Sequence, residues 1–171
     1  MSGKLNKEEQ VQVVIRIKPP HNDGHISKSV YLSEEQEKTL VVETPNKKEF
    51  FVFDNIADER CAQQDLYQYI GQDAVKSSTQ VLFLLIQGYN CCIFAYGQTG
   101  AGKTYSILGD TQVLNNDYYC ENRGILPRLL ADVFSCCDSE TDRYWIKCSY
   151  MEIYNEQIFD LVTTSTNVAQ L

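Results

Sequence analysis

The sequence contains no apolar run long enough to cross a bilayer. Its longest, Val81–Ile86, has six residues, against the ~20 that a spanning helix needs. The first ten residues, Met1–Gln10, are polar and include no secretory h-region. Only two histidines occur, His21 and His25, both in a polar N-terminal stretch, so no Ser/His/Asp or Cys/His constellation can be assembled. The seven cysteines, at 61, 91, 92, 120, 136, 137 and 148, form no C-x-x-C, and the spacings of a zinc site are absent. An odd count with two adjacent pairs reads as reduced thiols, several of them packed as small apolar groups, rather than a disulfide framework. Positive charge is scarce as well: 15 Lys+Arg against 23 Asp+Glu give a formal net charge of −8. Such a surface does not attract nucleic acid or anionic lipid by charge alone. These absences describe a soluble, intracellular protein with neither a membrane span nor a nucleic-acid partner.

What is present is ordinary for one globular domain: 171 residues, 43% hydrophobic and 22% charged. Residues 1–10 read as a polar tail. Alternation over Val11–Lys18 predicts a strand, ended by Pro19-Pro20, which cannot donate to a ladder. His21–Lys38 reads as loop and edge structure. Thr39–Thr44 and Phe50–Phe53 read as short strands around the turn Pro45-Asn46-Lys47-Lys48. From Asp58 the period becomes helical, with Ala62, Leu66, Tyr69, Ile70 and Ala74 on one face and Gly88 as a stop. Cys91–Tyr96 is apolar throughout, the pattern of a strand buried on both faces. A helix is expected from Lys103, a loop over 110–122, and a second helix carrying Leu126, Leu129, Leu130, Val133 and Phe134, with Pro127 near its start. Trp145–Tyr154 and Gln157–Val162 read as strands joined by Asn155-Glu156. Tyr67, Tyr69, Trp145 and Tyr150 read as core or half-buried packing. The order strand, helix, strand, helix, strand indicates an α/β layer structure.

Chemistry is concentrated in residues 97–104, Gly97-Gln98-Thr99-Gly100-Ala101-Gly102-Lys103-Thr104, which match G-x-x-x-x-G-K-[ST] in full. Glycines let the backbone turn tightly, so that N–H groups face phosphate oxygens without Cβ interference. The helix that follows adds its positive end. Lys103 brings a mobile point charge to the β- and γ-phosphates, and Thr104 a hydroxyl ligand for Mg²⁺. Asp160, at the end of Ile158-Phe159, could serve as a Mg²⁺-supporting carboxylate, but a strand-ending Asp is far more often a cap or turn residue.

The loop lies in a longer string, Gly88-Tyr89-Asn90-Cys91-Cys92-Ile93-Phe94-Ala95-Tyr96 running into Gly97–Tyr105, that resembles the kinesin motor family. Three further blocks agree in order: Arg16-Ile17-Lys18-Pro19, Gly124-Ile125-Leu126-Pro127-Arg128, and Glu152-Ile153-Tyr154-Asn155-Glu156-Gln157-Ile158-Phe159-Asp160-Leu161. The resemblance implies a P-loop NTPase-type layered sheet flanked by helices. On that basis 11–171 form the N-terminal half of a motor domain. It implies ATP and Mg²⁺ as ligands, microtubules (tubulin) as partner, and a place in the cytoplasm on the microtubule cytoskeleton. By position it places Arg16 and Pro19 beside the adenine, Tyr105 stacked on the ring, and Gln98 through Thr104 around the phosphates. Residues 110–122 become the loop that interrupts a helix near the nucleotide.

Departures from the family pattern matter too. Lys18 replaces the second arginine of R-x-R-P, keeping the charge and losing the planar fork. Cys91-Cys92 replaces Gly-Thr, and Ser77–Gln87 is about three residues longer than the family's usual helix end, nearly one turn. The sequence stops at Leu171 and contains neither an N-x-x-S-S-R-S-H nor a D-L-A-G-S-E switch. The expectation is therefore an ATPase by family whose 171 residues hold no catalytic group of their own and are inactive alone. Half a sheet also exposes apolar faces, which favours poor solubility. Two alternatives stay open: a truncated non-catalytic product that binds nucleotide weakly or acts as an interaction module, and an unrelated P-loop kinase or GTPase.

Overall fold

The structure, a computed structural model, describes residues 11–19, 29–70, 88, 90–114, 120–137 and 145–162. These belong to two units, Met1–Cys136 and Cys137–Leu171. The polar tail 1–10 and the segments 71–87 and 163–171 lie outside the described residues, and with them the extra turn at Ser77–Gln87 and most of the predicted helix before Gly88.

In the first unit, β1 covers Val14–Arg16 and is shorter than the predicted Val11–Lys18. Pairing sets its length: the parallel partner β5 (Asn55–Ala57) offers three residues, in the register Val14↔Asn55, Ile15↔Ile56, Arg16↔Ala57. The Asp54 carboxylate accepts the Val13 N–H at 2.7 Å and so fixes the entry of the strand. Between β1 and β5 the chain folds an antiparallel sheet in the order β2 (Val30–Leu32), β3 (Thr39–Thr44), β4 (Lys47–Val52). The turn is tighter than predicted. Lys47 and Lys48 pair with Thr44 and Glu43, leaving Pro45-Asn46 alone to reverse the chain. Thr39, Leu40 and Val41 are buried.

Helix α1 (Gln63–Tyr69) buries Leu66 and Tyr67 in a cluster with Ala57 and Ile125, and Val14, Tyr69, Ile93, Ile107 and Leu129 pack around it. Ile125 opens a 13-residue helix, Ile125–Cys137 (numbered α4 below). The Tyr67 hydroxyl donates to Asp132 Oδ2 at 2.6 Å, so a buried polar group is satisfied while two helices are joined. The predicted apolar stripe of α4 is only partly its buried face. Ile125, Pro127 and Arg128 are buried, whereas Leu126, Leu130 and Phe134 are exposed.

Cys91–Tyr96 departs furthest from expectation. Its backbone joins no ladder with any described residue, and its side chains alternate between half-buried (Cys91, Ile93, Ala95) and exposed (Cys92, Phe94, Tyr96). Phe94 is 81% and Tyr96 91% exposed. An apolar run becomes a doubly buried strand only inside a sheet whose two faces are both covered, and among the described residues no strand pairs with it. The chain then forms α2 (Lys103–Ile107) and, inside the predicted loop 110–122, a short α3 (Thr111–Leu114). Asp110 explains the second: its carboxylate accepts the Gln112 N–H at 3.1 Å, capping the turn.

The second unit is a hairpin of β6 (Met151–Tyr154) and β7 (Gln157–Asp160). Asn155 and Glu156 have φ of 49° and 62°, the left-handed pair of a type I′ turn. The strands are shorter than predicted. Trp145, 90% exposed, and Tyr150, 58% exposed, are not packing residues, because among the described residues of this unit the hairpin has no further layer over it. Asp160 closes a turn, accepting the Val162 N–H at 2.9 Å. Cys61, Cys92, Cys120 and Cys148 are free thiols. No helix among the described residues is long and apolar enough to cross a membrane.

Candidate nucleotide site

Residues 97–104 form a loop whose bends require glycine at two points. Gly100 has φ 79° and Gly102 φ 97°, both left-handed, and a Cβ at either would meet open space. The Ala101 N–H donates to the Gln98 carbonyl at 3.1 Å, which closes the first bend. Gly102 is the N-cap of α2; its carbonyl accepts the Ser106 N–H at 2.9 Å, and Thr104 accepts the Leu108 N–H at 2.8 Å. Lys103 folds back over the loop, with Nζ donating to the Gly97 carbonyl at 2.8 Å and the Gln98 carbonyl at 3.0 Å. Among the described residues no carboxylate pairs with it. Thr104 is exposed.

This donor set fits a Mg²⁺–triphosphate. The space above Gly100 and Gly102 is open, Lys103 donates to neutral carbonyls and among the described residues meets no carboxylate, and Thr104 is exposed. No cluster of three His, Cys, Asp or Glu that could hold a metal occurs among the described residues.

A second group of residues meets behind the loop. Arg16, on β1, sets its guanidinium carbon 5.0 Å from the centre of the Tyr105 ring, a cation–π distance. Its Nη1 donates to Gln63 Oε1 and to Ser106 Oγ, each at 3.0 Å. Gln63 Nε2 in turn donates to the Tyr105 carbonyl at 2.7 Å. Pro19 follows β1 in an exposed position, and Lys18 Nζ donates to the Gly100 carbonyl at 2.9 Å. Arg16, Tyr105 and the loop are therefore brought together. Gln63, Ser106 and the loop contact of Lys18 are additions that no local sequence pattern signals.

The far end of α2 is fixed by two glycines. Gly109 and Gly124 cross so closely that a Cβ on Gly109 would lie 2.2 Å from the Asn122 carbonyl, and one on Gly124 2.5 Å from the Ile107 carbonyl. Arg128 secures the crossing. It is buried, donates to the Arg123 and Glu121 carbonyls at 3.1 and 2.7 Å, and also bonds Gln64 Oε1. Burial, then the neighbouring Arg123, push its guanidinium below its ordinary pKa.

A family model described as the kinesin motor domain matches residues 4–171. The chain belongs to the kinesin motor domain family. It is 34% identical over 172 residues to the kinesin-like protein KIN-12B of Oryza sativa subsp. japonica, covering 94% of this chain and 14% of that protein. Among solved structures it is similar to a fast kinesin, with TM-score 0.71 and 29% identity over 89% of this chain and 40% of that one. It is similar also to Drosophila Kin10/NOD in complex with divalent manganese and ADP, with TM-score 0.64 and 26% identity over 90% of this chain and 48% of that one. The fold is thus the P-loop NTPase-type α/β fold of kinesin motor domains. The chain spans under a sixth of the length of the rice relative and less than half of each solved kinesin.

Proposed function

We propose that this chain is the ATP-binding part of a kinesin-type motor that couples ATP hydrolysis to movement along microtubules in the full-length protein. The observation that carries the reading is the loop Gly97–Thr104, with left-handed Gly100 and Gly102 feeding α2 and Lys103 folded over its carbonyls. In this reading Lys103 exchanges two neutral acceptors for anionic phosphate oxygens, a stronger partner for the same donor. Gly97, Gln98, Thr99, Gly100 and Gly102 supply backbone N–H groups around the phosphates, Ala101 joins them by exchanging its bond to the Gln98 carbonyl for a phosphate oxygen, and Thr104 supplies the hydroxyl for Mg²⁺. When bound, Mg²⁺ neutralises charge on the β- and γ-phosphates. Helix α2 has five residues, so the loop and Lys103, more than a long macrodipole, face the anion. Arg16, Pro19 and Tyr105 take the adenine. The solved relatives, a fast kinesin described for its ATPase mechanism and interactions with microtubules and a kinesin in complex with divalent manganese and ADP, support the same ligand and partner classes here.

Calorimetric titration of the full-length protein with Mg·ATP and with Mg·triphosphate tests this. Lys103→Ala should weaken both ligands about a hundredfold, the scale of a lost charge-assisted contact. Unchanged affinity for both would remove the loop from phosphate binding. Tyr105→Ala should weaken ATP alone, by ~1–3 kcal/mol if the ring stacks on the base.

A further inference from the structure

Gln63 is the most deeply placed polar side chain near the candidate site, with 3% of its surface exposed. It stands at the first position of α1, yet both of its bonds reach away from that helix. Its Oε1 accepts from Arg16 Nη1 at 3.0 Å and its Nε2 donates to the Tyr105 carbonyl at 2.7 Å, across 47 and 42 positions of sequence. The Tyr105 acceptor has a specific need for this partner. The ladder of α2 ends with the Leu108 N–H on the Thr104 carbonyl, so the next carbonyl, that of Tyr105, lies in the last turn and must find a donor outside the helix. Arg16 completes the circuit through Ser106 Oγ at 3.0 Å and lies over the Tyr105 ring. One amide therefore locks the guanidinium to the helix that carries the ring. A primary amide is the side chain that can do so, because it accepts on one atom and donates from the other.

We infer that Gln63 is a positioning residue for base recognition, holding Arg16 and Tyr105 as one preorganised cation–aromatic surface. The inference rests on the proposed role of those two residues at the adenine. With Gln63 in place, the base meets a surface already ordered, and little side-chain entropy is lost on binding. Without it, Arg16 keeps its charge and its bond to Ser106 Oγ but loses its second acceptor, so its hold over the ring weakens, and the phosphate loop, held by its own glycines and Lys103, is untouched. Gln63 thus separates base affinity from phosphate affinity.

The experiment titrates full-length wild type, Gln63→Met, Gln63→Glu, Arg16→Leu and the Gln63→Met/Arg16→Leu double variant with Mg·ATP and Mg·triphosphate, alongside thermal melts. Gln63→Met, which preserves volume, should bind ATP about tenfold more weakly, the loss of one charge-assisted bond, with triphosphate affinity unchanged. Gln63→Glu keeps the acceptor for Arg16 and loses the donor to Tyr105, so its loss should be smaller. If Gln63 acts through Arg16, the double variant loses no more than Arg16→Leu alone. Equal weakening of ATP and triphosphate, additive losses in the double variant, or ATP binding at wild-type strength in Gln63→Met would each overturn the inference. Wild-type protein that binds triphosphate no more weakly than ATP would remove the adenine site and the inference with it. Wild-type protein that binds neither would remove the phosphate-loop reading first.

Discussion

Lys18 Nζ donates to the Gly100 carbonyl at 2.9 Å, tying the end of β1 to the apex of the phosphate loop across 82 positions of sequence. A single carbonyl needs one point donor, which a flexible ammonium supplies as well as a guanidinium fork. This gives the lysine in Arg16-Ile17-Lys18-Pro19 a physical role where the family pattern has arginine. Lys18→Met should lower ATP affinity about fivefold, the worth of one exposed charge-assisted bond, and Lys18→Arg should restore it. Titration of the three proteins checks this; a Met variant that binds like wild type would show that the contact does not shape the loop.

The crossing of Gly109 and Gly124 admits no side chain. The atoms that a new Cβ would strike, the carbonyls of Asn122 and Ile107 at 2.2 and 2.5 Å, belong to the backbone and cannot rotate away. Gly109 also has φ 95°, a further cost for any L-residue. Either glycine changed to Ala should destabilise the fold by about 3 kcal/mol or more, lowering the melting midpoint by roughly 10 °C. Gly100→Ala, whose Cβ meets nothing within 4 Å, should cost only the ~1–2 kcal/mol of its left-handed backbone. Equal shifts at all three positions would show that strain, and not steric overlap, is what the crossing imposes.

Stability should fall on the alkaline side. Burial, with Asp65 close by, raises the Cys61 thiol above its ordinary 9.0, and burial raises the Tyr69 hydroxyl above 10.0. In both cases the folded chain keeps its proton after the unfolded chain has lost it, so unfolding releases protons and each pH step favours the unfolded state. The hydrogen bond with Tyr31 raises Lys48 above 10.5. Its stabilisation is present below that value and lost as pH rises through the folded one. All three effects run in one direction. Melting midpoints should hold steady to about pH 9 and decline above it, and Cys61→Val should delay the onset. A midpoint that stays level to about pH 11 would contradict the raised pKa values of Cys61 and Tyr69.

How far the sequence could be read depended on how local each cause is. Gly97–Thr104 was legible because eight consecutive residues encode both the bends and the charge, and Thr39–Thr44 because its hairpin partner is a two-residue turn away. Arg16 and Tyr105 were legible only through family resemblance, since nothing in their neighbourhood in sequence marks them as a pair. Gln63 was not legible at all: a polar residue opening a short helix looks solvated until the fold brings β1 and α2 to it. Cys91–Tyr96 misled for the opposite reason. Its composition states that the run tolerates burial, but burial also needs a sheet to join and layers over both faces, and neither can be read from the run itself. In α4 the stripe of leucines predicted the helix correctly and its buried face only in part, because Arg128 takes a core position to bind the loop carbonyls of Glu121 and Arg123.

Charge decides the last prediction. The microtubule surface is acidic, so a protein that holds it needs a basic face, and these 171 residues carry a net −8. The one compact basic pair is already committed. Lys47 forms an ion pair with Glu49, while Lys48 lies 5.5 Å from the Tyr31 ring centre and 5.7 Å from that of Phe50. Lys48 also has Glu43 and Glu35 close enough to favour its charged form. Lys103 and Lys18 bond the carbonyls of the phosphate loop, and Arg16 and Arg128 are held inside the first unit. The 171-residue chain should therefore fail to cosediment with microtubules at physiological salt, and lowering the salt should not rescue it, because reduced screening strengthens the net repulsion as well. Saturable pelleting that weakens as salt is added would show a basic face on these residues. In that case Lys47→Glu/Lys48→Glu should be the first variant tried, since loss of pelleting there would place the face on β4.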